Sequence, residues 1–295
     1  MIEARQLVRR YGDFVAVADV SFRIEPGEVV GLLGHNGAGK TTIMKMLTGY
    51  LQPDSGSVLV DGVEVESDPL TVQAGLGYLP ENLPLYPELT IVDYLRYVAD
   101  LRGVDARTTV PAAIEATELG DKALQPINTL SRGYRQRVGV AQAILHKPSI
   151  VILDEPTSGL DPTQTHEMRR LITAMSESAT VILSTHIMQE VSAMCTRALI
   201  LRGGRLVLDE KLEDLEQSRQ VVVKTRADAD LSGIVAAGDT LSGGSGVWTV
   251  TVAEDPAQAC ARLTKAMVAL DLPVYQITPA RRDLETLFRE VNEEA

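Results

Sequence analysis

Residues 34–41 read Gly-His-Asn-Gly-Ala-Gly-Lys-Thr, and this stretch restricts the fold of the 295-residue chain more severely than any other. The spacing is G-x-x-x-x-G-K-[ST], which functions only when a strand delivers the chain into the loop and a helix carries it away. Val29–Leu33, just before it, is a short apolar run that suits a strand buried on both faces. Ile43, Met44, Met46 and Leu47, just after it, begin a helical pattern. Glycines let backbone N–H groups turn inward onto phosphate oxygens, and the helix N-terminus adds positive potential. Gly34, His35, Asn36, Gly37, Ala38, Gly39, Lys40, Thr41 and Thr42 are therefore the candidate nucleotide-binding residues. Lys40 is expected to pair with the β- and γ-phosphates, and the Thr41 hydroxyl with Mg²⁺.

Two further strand ends carry chemistry. Ile150–Leu153 is an apolar run that ends in Asp154-Glu155. Beside a phosphate loop, the first carboxylate is expected to hold Mg²⁺, and the second to orient or deprotonate an attacking water. Val181–Thr185 is a third buried run, and it ends in His186. A lone histidine is more often structural, but ligand sites of open α/β sheets collect at such strand ends. Helical spacing of Met168, Leu171, Ile172 and Met175 separates these strands, which implies a mostly parallel sheet. Val15, Val17, Val20, Phe22 and Ile24 alternate as a half-buried strand, and 198–208 reads as a hairpin about Gly203-Gly204.

Residues from about 82 to 145 are helix-rich and read as an inserted helical subdomain. After 216 the character changes again. Strands are expected at 220–224, 247–252 and 274–277, with a helix between Asp255-Pro256 and Pro273. Leu284, Leu287, Phe288 and Val291 mark the apolar face of a last helix. This tail holds eight Lys/Arg against eleven Asp/Glu, and the whole chain has a net charge of -12. Neither balance suits a nucleic-acid binder. Cys195 and Cys260 lie in no metal-like spacing and are read as buried or partly buried thiols, consistent with a reducing compartment. No secretory leader and no apolar run of membrane-spanning length is evident.

One more stretch carries a family likeness. Leu130-Ser131-Arg132-Gly133-Tyr134-Arg135-Gln136-Arg137 resembles the signature motif of ATP-binding-cassette (ABC) ATPases, and Ser158-Gly159-Leu160-Asp161 resembles their D-loop. Thr185-His186 is similar to their switch histidine, and Tyr11 stands where the family places an adenine-stacking aromatic. The likeness covers about residues 1 to 215. It departs in two places: Arg132 and Tyr134 replace the usual Gly and Gln of the signature, and Glu81 replaces the Q-loop glutamine. As a carboxylate, Glu81 still suits Mg²⁺. Another reading leaves Glu81 a loop residue away from the metal.

The resemblance implies an α/β P-loop NTPase fold of ABC-ATPase type. A mostly parallel sheet core, an antiparallel β subdomain and an inserted helical subdomain would occupy 1–216, and a small α+β accessory or regulatory domain 217–295. It implies ATP hydrolysis coupled to transport, with ATP and Mg²⁺ bound. A second ATPase subunit, in a homodimer, would contact the nucleotide through Ser131, Gly133 and Asp161. Glu155 would be the general base, and His186 would hold the γ-phosphate and attacking water. Thr41, Asp154 and Glu81 are the expected metal-side residues. Transmembrane permease subunits would complete the transporter, docking near Leu83, Leu85, Tyr86 and Leu89, and no nucleic-acid partner is expected. The chain would be cytoplasmic, peripheral on the inner face of the cell membrane. The departures and the tail resemble ABC-2-type exporter ATPases, including the gliding-motility-associated ones. Two alternatives stay open: a soluble ABC ATPase acting on another macromolecular partner, and a nucleotide-dependent regulator that does not hydrolyse.

Overall fold

The computed structural model describes residues 1–216, 219–280, 284, 285, 287 and 288. The chain divides into two compact units, Met1–Glu210 and Lys211–Ala295. The first begins with β1 (Ile2–Tyr11), β2 (Phe14–Ile24), β3 (Val29–Leu33), α1 (Lys40–Leu47), β4 (Ser55–Val60), β5 (Val63–Glu64), α2 (Pro69–Ala74) and β6 (Leu76–Leu79). Three helices follow: α3 (Ile91–Arg102), α4 (Ala106–Ala116) and α5 (Arg132–Ile144). Then come β7 (Ile150–Asp154), α6 (Pro162–Ser176), β8 (Thr180–Thr185), α7 (Met188–Met194), β9 (Arg197–Arg202) and β10 (Arg205–Lys211). The second unit holds α8 (Leu212–Glu216), β11 (Gln220–Lys224), β12 (Thr240–Gly244), β13 (Val247–Thr251), α9 (Pro256–Ala269) and β14 (Gln276–Pro279).

The central sheet has the order β10-β9-β3-β8-β7-β6, and its pairs from β9 to β6 are parallel. Every residue of β3, β7 and β8 is buried. Successive side chains of a strand point to opposite faces, and here they enter two different cores. Val30, Leu32, Ile150, Ile152 and Ile182 join one cluster with α1. Val29, Val151, Leu153, Val181 and Leu183 join the other with α6. Each fully buried Val, Leu or Ile contributes about 1.5–3 kcal/mol, so this double coverage fixes the strand ends that bear the chemistry. A separate antiparallel sheet, β2-β1-β4-β5, lies in the same unit. The hairpin read at 198–208 is β9 and β10, neighbours joined through Gly203 and Gly204, both at positive φ.

The helices α3, α4 and α5 share a core of their own, which includes Ile91, Leu95, Val110, Leu119, Val138 and Leu145. Thr90 caps α3, accepting from the Asp93 N–H at 3.1 Å and donating to its carboxylate at 2.6 Å. Gly103, at φ 66°, ends it. α5 runs back against β6 with no room to spare: a Cβ on Gly77 would stand 2.2 Å from the Ala143 carbonyl oxygen.

In the second unit the antiparallel order is β12-β13-β11-β14. Val221, Val223, Val250, Leu263 and Met267 form its core with α9. Asp255 accepts from the N–H groups of Ala257 and Gln258, capping α9, with Pro256 at the first helical position. Two sequence expectations shift here. α9 stops at Ala269 rather than running to Pro273. Asp271, at φ 53°, adopts the left-handed conformation, and the Leu272 N–H donates back to the Met267 carbonyl at 2.9 Å. The strand expected at 274–277 begins at Gln276 and runs to Pro279. Leu284, Leu287 and Phe288 are buried as their spacing suggested; Val291 lies outside the described residues.

Candidate nucleotide site

β3 releases the chain at Leu33, and α1 takes it up at Lys40. The loop between them closes on itself through the Ala38 N–H, which donates to the His35 carbonyl at 3.0 Å. Gly39 sits at φ 105°, and a Cβ there would come within 2.5 Å of the Ala16 carbonyl oxygen, so only glycine fits. Lys40 is 6% exposed. Its Nζ donates to the carbonyl oxygens of Gly34 at 2.7 Å and His35 at 3.3 Å, and lies 3.4 Å from Glu155 Oε1. A cleft of about 280 Å³ opens above this cradle, with Tyr11, Asn36, Thr41, Thr42, Glu81 and Glu155 among its walls.

The acid pair ends β7. Asp154 is fully buried, and its Oδ1 accepts from Ser184 Oγ at 2.5 Å and Thr41 Oγ1 at 3.3 Å. Its other oxygen, Oδ2, is buried with no hydrogen-bond partner among the described residues. A buried, unsatisfied carboxylate oxygen is costly. Beside a threonine hydroxyl it is the oxygen-donor arrangement that a hard divalent cation takes, so the residues present fit Mg²⁺.

Glu155 follows at φ 50°, a left-handed conformation that costs a non-glycine residue about 1–3 kcal/mol. Its N–H donates to Ser184 Oγ at 3.0 Å, which holds that turn. Its Oε2 meets His186 Nδ1 at 2.9 Å. The carboxylate thus lies between an ammonium and an imidazole at the edge of the phosphate cradle.

Tyr78, on β6, pairs in register with Ile152, two residues before Asp154. Its hydroxyl is buried without a hydrogen-bond partner among the described residues. Burial, and then the neighbouring Asp154, Tyr50 and Glu81, push its ionisation well above the ordinary range, so it stays a neutral phenol.

Of the residues expected at the site, Tyr11, the loop 34–42, Glu81, Asp154, Glu155 and His186 come together through these contacts and shared walls. Ser131, Gly133 and Asp161 are not among the walls of this cleft. Ser131 caps α5, accepting from the Tyr134 N–H at 3.4 Å, and Asp161 caps α6, accepting from the Gln164 N–H at 2.9 Å. Gly133 is buried against Gln164. Arg132, the departure from the family signature, lays its guanidinium over Gly159 of the D-loop stretch.

Three contributors escaped the sequence reading. Phe14 pairs with Tyr11 across β1 and β2 and lines the cleft, but an exposed aromatic on a strand has no distinctive pattern. Ser184 carried the only usable signal, a hydroxyl two residues before His186 on the strand next to Asp154. Tyr78 gave no signal of its own, standing three residues before Glu81.

The comparisons with known proteins agree with this geometry. A family profile described as ABC transporter matches residues 17–158. The chain is 31% identical over 284 residues to the uncharacterized ABC transporter ATP-binding protein YdbJ of Bacillus subtilis, covering 96% of this chain and 92% of that one. It is 35% identical over 218 residues to the Nod factor export ATP-binding protein I of Rhizobium etli, covering 72% and 69%. A solved ATP-binding subunit of an ABC transporter superposes with a TM-score of 0.66 at 30% identity, over 73% of this chain and 92% of the other. With a phosphate cradle, an acid pair and a histidine on adjacent parallel strands, and relatives matched along most of their length, the chain belongs to the ABC transporter family as an ATP-binding, ATP-hydrolysing subunit of a transporter.

Proposed function

We propose that this subunit works as one half of a head-to-tail homodimer, whose closure on ATP drives separate membrane permease subunits. The observation that carries the reading is the placement of Glu155, 7% exposed, between Lys40 Nζ at 3.4 Å and His186 Nδ1 at 2.9 Å. Glu155 takes the proton of the attacking water as general base. His186 holds that water and the γ-phosphate. Lys40 and the loop N–H groups hold the β- and γ-phosphates, and Tyr11, with Phe14 beside it, stacks on adenine. Thr41 and Asp154 would hold Mg²⁺, with Glu81, which lines the cleft with Thr41, as the further candidate. When bound, Mg²⁺ neutralises charge on the β- and γ-phosphate oxygens. Ser131, the Gly133 N–H and Asp161 reach the nucleotide of the partner subunit, a reading supported by the walls of their own cleft, which these three do not line.

The same proposal gives the chain an ATP-binding domain over 1–216, with its helical insert at about 82–145, and an accessory domain over 217–295 that regulates closure. It places the protein on the cytoplasmic face of the membrane. Among the described residues no helix is long and apolar enough to cross a bilayer. The export named for the Rhizobium etli relative is compatible with the ABC-2 exporter reading; the likeness to gliding-motility-associated ATPases rests on the signature and Q-loop departures and on the tail.

Steady-state phosphate release by purified protein tests the core of this account. Glu155→Gln should lower turnover at least about 100-fold while ATP still binds, and should accumulate an ATP-dependent dimer on size-exclusion chromatography. Unchanged release in that variant would remove Glu155 from the reaction.

A further inference from the structure

His186 sits on a short turn between β8 and α7, and its side chain is 46% exposed. Contact with Glu155 alone does not explain how such an exposed ring is held. The turn behind it is buried. Thr185 is fully buried, and its Oγ1 accepts from the Ile187 N–H at 3.0 Å, bridging over His186 itself. The same hydroxyl donates to Glu190 Oε2 at 2.8 Å. Glu190 is 1% exposed, an extreme burial for a carboxylate. Its own N–H returns to the Ile187 carbonyl at 3.1 Å. The surroundings are apolar: Val191 is fully buried, and the nearby Cys195 thiol is pushed up by burial and then by the Glu190 charge.

A carboxyl group is expensive to bury, and it survives in such a place only with a partner. Here the partner is a hydroxyl whose other hydrogen bond sets the conformation of the residue between. We infer that Glu190 is a positioning residue for hydrolysis: by fixing the Thr185 hydroxyl, it fixes the turn that aims His186 at Glu155 and at the terminal phosphate. The inference rests on the role proposed above for His186. Glu190 is not among the walls of the nucleotide cleft, so it acts through Thr185. A small misplacement of a group at a reacting centre is enough to cost rate, so the effect should fall on turnover rather than on nucleotide affinity.

The test compares Glu190→Ala, Glu190→Gln and Thr185→Val in the full chain, measuring kcat, KM for ATP, and the Kd of a fluorescent ATP analogue. Glu190→Ala should lower kcat at least about tenfold, with the Kd within about twofold of the parent. Glu190→Gln keeps an acceptor oxygen for the Thr185 hydroxyl and should restore kcat to within about twofold. Thr185→Val, which keeps the volume and loses the hydroxyl, should match Glu190→Ala, and the double variant should be no slower than either single one. Parent-like turnover in Glu190→Ala, failure of Gln to restore it, equal losses of turnover and affinity, or multiplicative losses in the double variant would each overturn the inference. If Glu190→Ala does not fold, Thr185→Val and Glu190→Gln decide the matter alone. His186→Ala is the reference: parent-like turnover there would sink the role of His186, a failure distinct from that of Glu190.

Discussion

Lys40 is an ammonium shared among three oxygens, two from backbone carbonyls and one from Glu155. Lysine to alanine at this position removes the cation that phosphates would meet and strips the buried Glu155 carboxylate of its ammonium partner. Charge-assisted hydrogen bonds contribute about 1.5–3 kcal/mol each, so Lys40→Ala should weaken ATP binding by about 100-fold or more in a fluorescence titration. A variant that keeps parent affinity would refute the assigned cradle. His146 gives a pH dependence of the opposite character, one of stability. Its ring accepts burial beside Arg102, and desolvation first, then that charge, hold its pKa below the usual histidine value, despite the bond to the Leu76 carbonyl at 3.1 Å. A folded pKa below the unfolded one means that the unfolded chain binds more protons, so stability is present above about pH 6.5 and is lost as pH falls. The melting temperature should drop between pH 7.5 and pH 5.5, and His146→Gln should flatten that drop. An unchanged slope in the variant would assign it to other groups.

At the scale of elements, the legible parts were those with one dominant physical cause. β3, β7 and β8 stood out because both their faces are buried, which leaves uninterrupted apolar runs. Their ends carry the cradle, the acid pair and the histidine, so most of the candidate site was legible with them. β4 was not read as a strand: Ser55-Gly56-Ser57 breaks the alternation, and its pairing with β1, Ile2 opposite Val60, comes from far along the chain. The end of α9 was misplaced because the left-handed Asp271 stops the helix before Pro273 can. The close approach of α5 to β6 was equally invisible, since glycine signals a contact only once its neighbour is known. Gly77 faces the carbonyl oxygen of Ala143, a backbone atom that cannot step aside. Gly77→Ala should therefore destabilise the protein by about 1–3 kcal/mol, the usual cost of overpacking, measured by denaturant unfolding. A neutral result would mean that α5 can move away from the sheet at little cost.

At the scale of the whole molecule, each buried cluster found among the described residues draws on one unit. The three clusters of the first unit use residues from Ile2 to Leu201, and that of the second uses Val221 to Met267. A chain ending at Glu216 should then melt cooperatively and bind ATP with parent affinity. Loss of the cooperative transition would show that the nucleotide unit needs the tail in order to fold. The net charge of -12 is carried by a protein whose ligand is itself an anion, so local potential at the helix α1 N-terminus and Lys40, rather than the overall field, must draw the nucleotide in.

That same lysine also sets what kind of molecule can settle in the cleft. Its ammonium has three oxygen partners, two carbonyls and a carboxylate, so a ligand must offer oxygens of comparable quality to draw it away. A nucleoside offers none, and a monophosphate places few within reach of the loop. Only a longer polyphosphate tail recovers the full set, so discrimination begins by counting phosphates, before the base is ever read.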